Sequence, residues 1–175
     1  MEKMGKRIPI FIERQRTFTK QRGTFGPLGI ISDNGCGAIA LYNVLEFFGV
    51  RADFMKLVGR FSRRWLLALP LGGLMGTSIF YLFYELVKYG FRVRPVVFTE
   101  RTICRLSEEG TAFIMLYLWR KKYRYGGHFQ AGLFGENGTV TLHNPKVTYI
   151  DLKDMLAEKK KREHMWFCVA LTVAK

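Results

Sequence analysis

At 175 residues the chain can bury a core without staples, and 49% hydrophobic and 15% aromatic residues exclude a mainly disordered protein. Lysine and arginine outnumber aspartate and glutamate, 28 to 14, and the net charge of +14 suits an acidic peptide, nucleic acid or an anionic surface. Cys36, Cys104 and Cys168 stand far apart with no CxxC pair or Cys/His cluster, which argues against a disulfide framework, a structural metal or a cofactor site.

Residues 1–31 read as a basic arm, extended or looped, with charge too frequent for a signal peptide; a cytoplasmic protein is expected. From Cys36 to Phe48 the residues are apolar almost all round a helix that stops at Gly49, so this helix should be central and buried. Asn34 is its expected N-cap, which puts Cys36 in the first turn. A short helix follows over 53–61. The stretch 65–87 carries Glu85 as its only charge behind Arg63 and Arg64, and by length and hydropathy it could be a membrane span. Pro70, Gly72, Gly73 and Gly76 divide it, however, and Thr77 and Ser78 open a helix over 77–89 that stops at Gly90. A buried loop and a helix are therefore expected in place of a span, with membrane association through 65–87 left open.

After Gly90 the period changes from helical to alternating. Strands are expected over 91–98, at an edge because of Pro95, and over 111–119, 127–134 and 139–143, the last two joined by a turn at Gly135–Gly138. A charged helix over 151–163 and a strand over 166–173 complete the chain, and Trp119 and Trp166 are expected in the core. The order is α+β, helices packed on a mainly antiparallel sheet, in one domain over 1–175: the arm 1–31, a mainly helical part 32–90 and a sheet part with one helix 91–175.

In SDNGCGAIALYN, Cys36 stands at a helix start between two glycines. Free N–H groups and the helix dipole favour a thiolate there, and Gly35 and Gly37 would leave the sulfur open to a carbonyl. A small buried residue closing a turn is the other reading of the same stretch. His128, His143 and His164 are the available bases. A hairpin turning at 135–138 brings His128 and Asn144 to the same end of two strands, where the asparagine could fix the imidazole tautomer.

NGCGAIALYNVLEFFG resembles the cysteine-helix motif of the C39-like, papain-fold cysteine peptidases. GTSIFYLFYELVKYGFRV is similar to their next helix-to-strand element, and GGHFQAGLFGENGTVTLHNP to their GH–strand–turn–strand–DP segment. The terminal helix and strand continue the pattern, so the resemblance runs over about residues 30–173. It implies a papain-like fold with Cys36 as nucleophile, His128 as base and Asn144 as the orienting third member. The family more often has aspartate at that last position, and papain itself has asparagine. It also has a glutamine six residues before the cysteine as oxyanion donor. Ile30 stands there, and Asn34 is the candidate replacement, with Gln21 further off.

Arg120, Lys121, Lys122 and Arg124 precede His128 and are candidate rim residues for a peptide or protein substrate, an acidic one by charge. Two alternatives stand beside the peptidase or amidase: an inactive papain-fold module that binds a peptide or acidic partner, and, with less support, a basic nucleic-acid-binding protein.

Overall fold

The computed structural model describes residues 8–18, 24–68, 76–98, 102 and 112–175. Gln21, Cys104 and residues 69–75 of the apolar stretch lie outside the described residues. Among the described residues no helix is long and apolar enough to cross a membrane.

The first half is helical. A two-stranded hairpin (β1, Thr24–Phe25; β2, Gly29–Ile30) leads into the single turn α1 (Ile31–Asn34) and then α2 (Cys36–Phe47). Ten of the twelve residues of α2 are buried, as an apolar circumference requires, and these include Asn43 and Glu46. Both bond to the arm. Asn43 Oδ1 accepts from Ile12 N at 2.9 Å, its Nδ2 donates to Ile12 O at 3.1 Å, and Glu46 Oε2 accepts from Ile10 N at 3.4 Å. The arm thus runs along α2 and delivers Glu13 and Gln15 to its N-terminal end.

α3 (Phe54–Arg63) starts where Asp53 accepts from Lys56 N at 3.0 Å. α4 (Trp65–Ala68) and α5 (Ile79–Lys88) follow, and α5 buries Tyr81, Leu82, Glu85 and Leu86.

The second half is a six-stranded antiparallel sheet in the order β3 (Arg92–Val97), β8 (Met165–Ala174), β4 (Ala112–Lys121), β5 (Arg124–Phe134), β6 (Val140–His143) and β7 (Val147–Tyr149). Pro95, which has no N–H to donate, lies on the edge strand β3 as expected. Alternation along β4 serves two cores. Ala112 and Ile114 pack with α2, whereas Phe113, Met115 and Tyr117 pack with Leu152, Met155 and Leu156 of α6 (Leu152–Glu163). The β5–β6 turn falls at Glu136–Gly138, with Asn137 at φ 59°. α6 is capped by Asp151, which accepts from Asp154 N at 2.7 Å.

Two expectations need correction. α2 begins at Cys36 behind Gly35, and Asn34 does not cap it: its Oδ1 accepts from Ile30 N at 3.2 Å, closing the α1 turn backwards. Trp166 is 62% exposed rather than in the core, because the register shift opposite it, between Leu118 and Trp119, breaks the alternation there.

Candidate active site

Cys36 occupies the first turn of α2, with its side chain buried. Its glycine neighbours are fixed by close packing. A Cβ on Gly35 would lie 2.7 Å from the Ile31 carbonyl oxygen, and one on Gly37 would lie 2.6 Å from Thr77 Oγ1. They let α1 and the start of α5 close on the helix end, which is a different service from clearing space around the sulfur. Burial pushes the Cys36 thiol up, and the Phe129, Gly37 and Cys36 main-chain N–H groups pull in the opposite direction without prevailing.

The N–H of Phe129 places the thiol beside the residue that follows His128 in β5. His128 is half-buried, with Nε2 3.2 Å from the Asn144 carbonyl oxygen. A carbonyl oxygen only accepts, so Nε2 carries the hydrogen and Nδ1 keeps the lone pair. Burial lowers the His128 pKa; the Asn144 carbonyl raises it, the Lys159 charge lowers it and Glu163 raises it, and the net direction is down. Raised thiol and lowered imidazole together favour the neutral pair at rest. Among the described residues no hydrogen bond joins Cys36 to His128.

The structure brings His128 and Asn144 together through the asparagine's main chain. The Asn144 carbonyl also accepts from Gln130 Nε2 at 3.0 Å. Its side chain faces away, to the arm: Oδ1 accepts from Gln15 N at 2.9 Å and Nδ2 donates to Gln15 Oε1 at 3.2 Å. Gln15 Nε2 donates in turn to Ile31 O at 3.0 Å, so one buried carboxamide spans from α1 to the end of β6. Glu13 completes the clamp, with Oε1 2.6 Å from His143 Nδ1 and Oε2 accepting from Asn144 N at 3.3 Å.

Behind His128 lies a second polar chain. Buried Lys159 donates to Gln130 Oε1 at 2.7 Å and to Glu163 Oε1 at 2.5 Å, and Tyr117 donates its hydroxyl to Glu163. The Tyr117 ring meets His128 edge-on at 5.7 Å. α6 therefore supports the carbonyl that holds the imidazole.

A cleft of about 760 Å³ opens over these groups, walled by Gln15, Ser32 and Asp33 on one side and by Trp119, His128 and Asn144 on the other. Cys36 lies beneath its wall and is not part of the lining. Nor is Asn34. Arg120, Lys121, Lys122 and Arg124 are exposed at the turn of the β4–β5 hairpin and do not line the cleft. In register, Tyr117 faces His128 and Lys121 faces Arg124, so that turn is about 13 Å along the strands from the imidazole. The cations that do line the cleft are Arg14 and Arg16, from the arm.

Gln15, Glu13, Gln130 and Lys159 were invisible to sequence reading. Each acts through a long-range bond with no local pattern, and Gln15 and Glu13 sit in a run of charges that reads as solvated.

No family model matches the chain, and no curated protein matches it. Among solved structures it is similar to the peptidase domain of Streptococcus ComA, a bi-functional ABC transporter involved in a quorum-sensing pathway. The two share 15% identity at a TM-score of 0.53, over 81% of this chain and 91% of that domain. The fold is that of a C39, papain-like peptidase domain. In this chain α2 starts at Cys36 and packs on the sheet, β5 carries His128, and Asn144 follows the last residue of β6.

Proposed function

We propose that the chain is a cysteine peptidase or related amidase, with Cys36 as nucleophile and His128 as its base. The observation that carries this reading is the contact of His128 Nε2 with the Asn144 carbonyl oxygen at 3.2 Å, which calls for the hydrogen on Nε2 and leaves Nδ1 to receive a proton. Because burial favours a neutral thiol, deprotonation accompanies attack instead of preceding it. Nδ1 takes the thiol proton as the sulfur bonds to the amide carbon. The imidazolium returns that proton to the leaving amine, and water hydrolyses the thioester.

The developing oxyanion needs donors, and the Cys36 N–H is one. For the side-chain donor we favour Gln15 over Asn34. Gln15 lines the cleft, its Oε1 is held by Asn144, and one Nε2 hydrogen is spent on Ile31 O, which leaves the other for substrate. Asn34 lies outside the cleft with Oδ1 committed to Ile30 N. Arg14 and Arg16 at the cleft favour a peptide with acidic side chains.

A mixture of acidic and neutral peptides incubated with the protein and read by mass spectrometry tests this. Cleavage that disappears in Cys36→Ala and in His128→Ala, with an acyl adduct on Cys36 after acid quench, is the expected result. Peptide binding without cleavage, unchanged in Cys36→Ala, would instead establish an inactive peptide-binding module. The burial of Cys36 beneath the cleft wall favours that second reading.

A further inference from the structure

Two helices within the stretch whose hydropathy resembles a membrane span, α4 and α5, are hydrophobic on the outside of the protein. α5 buries Tyr81, Leu82, Glu85 and Leu86, yet Phe80, Phe83, Tyr84 and Val87, at helical spacing, form an apolar stripe on its opposite face. A helix of this kind ordinarily turns a polar face to water. α4 extends the patch: Leu66 is 78% exposed and Leu67 71%, beside Phe80 at 83%. Leu67, Phe80 and Tyr84 meet around one shallow depression of about 390 Å³ that Arg64 also lines.

Charge identifies what the patch faces. In residues 54–68 and 76–98 the only acid is Glu85, which is buried and paired with Arg60 at 3.4 Å. The exposed ionic groups beside the patch are Arg63, Arg64 and Lys88. The Arg64 guanidinium sits 5.9 Å from the centre of the Tyr84 ring and donates to its hydroxyl at 3.4 Å, so one cation is fixed at the border of the apolar surface. Two copies of this face would set arginine against arginine. Exposed leucines and aromatic rings together, with cations at the border, match the interface of an anionic bilayer.

We propose that α4 and the outer face of α5 dock the protein on an anionic membrane surface. The apolar side chains enter the headgroup boundary, and Arg63, Arg64 and Lys88 contact lipid phosphates. The patch shares no residue with the cleft, so docking leaves the cleft open and does not depend on the peptidase reading.

The test is sedimentation of the full chain with phosphatidylcholine vesicles, with and without one third phosphatidylglycerol. Because a chain of charge +14 can adhere to any anionic surface, matched variants are needed. Binding at least tenfold tighter to the anionic vesicles is expected. It should weaken at least tenfold in Leu67→Ser/Phe80→Ser and in Arg63→Gln/Arg64→Gln, and less than twofold in Lys160→Gln/Lys161→Gln. Brominated lipid should quench Trp65 emission, with the quench lost in Trp65→Phe, and thermal melting reports that each variant is folded. No vesicle binding, equal binding by all variants, or a concentration-dependent dimer abolished by Leu67→Ser/Phe80→Ser would each overturn the proposal.

Discussion

His128 and His143 lie on neighbouring strands, each with one ring nitrogen held by an oxygen. For His128 the oxygen is a neutral carbonyl at 3.2 Å and the ring edges a cleft; for His143 it is the Glu13 carboxylate at 2.6 Å. His143 is sealed under Phe11, 4.1 Å away, and its Nε2 is buried with no partner among the described residues. On the proposed reading the base needs its second nitrogen where a proton arrives, and of these two rings it is His128 that lines the cleft. His143 instead fastens the end of β6 to the arm that brings in Gln15. On the proposed reading the two rings divide the work between chemistry and support.

The largest expected effect comes from breaking the chemical side. His128→Ala should lower turnover on the order of 10²–10⁴-fold while urea unfolding moves little, as steady-state kinetics and denaturation on the same sample will show. His143→Leu should do the reverse first. It leaves the Glu13 carboxylate without its closest partner and should cost about 1–3 kcal/mol in unfolding free energy, with faster proteolysis inside residues 8–18.

pH sharpens the contrast. Burial holds His128 below the ordinary imidazole value, so its contribution to stability is complete above about pH 6.5 and is lost as pH falls through the lowered pKa. Cys36 has the opposite sign: its raised pKa makes a contribution that is complete below the ordinary thiol range and lost as pH rises through the raised value. Urea midpoints at acid pH should therefore fall less steeply in His128→Ala than in the parent protein, and alkaline midpoints should fall less steeply in Cys36→Ala. The smallest expected effect is that of Lys159→Met, which removes a cation that lowers the His128 pKa; an upward shift in the imidazole titration, followed by NMR, is expected.

Much of the architecture was legible. The helices expected over 53–61 and 151–163 form as α3 and α6, each opened by an aspartate cap that is a local bond, and β4, β5, β6 and β8 follow from apolar strand-like runs and a turn sequence. The placement of Cys36 at a helix start could be read for the same reason, whereas its partnership with His128 was implied only by the family resemblance. What could not be read is long-range. Gln15 reaches Asn144 from the far end of the chain, and nothing in ERQRTF distinguishes it from a solvated residue. α2 and α5 have nearly the same apolar texture, yet one is buried all round and the other on one face only, because the packing of α4, β3 and α2 decides which side of α5 is covered.

The most direct measurement is the rate of Cys36 labelling by a peptidyl chloromethyl ketone against iodoacetamide, between pH 6 and 9. With a neutral resting thiol served by His128, iodoacetamide should react slowly at pH 7. The peptidyl reagent, which fills the cleft, should react at least tenfold faster, and His128→Ala should erase that advantage. Equal rates for both reagents, or an advantage that survives His128→Ala, would contradict a Cys36–His128 catalytic pair.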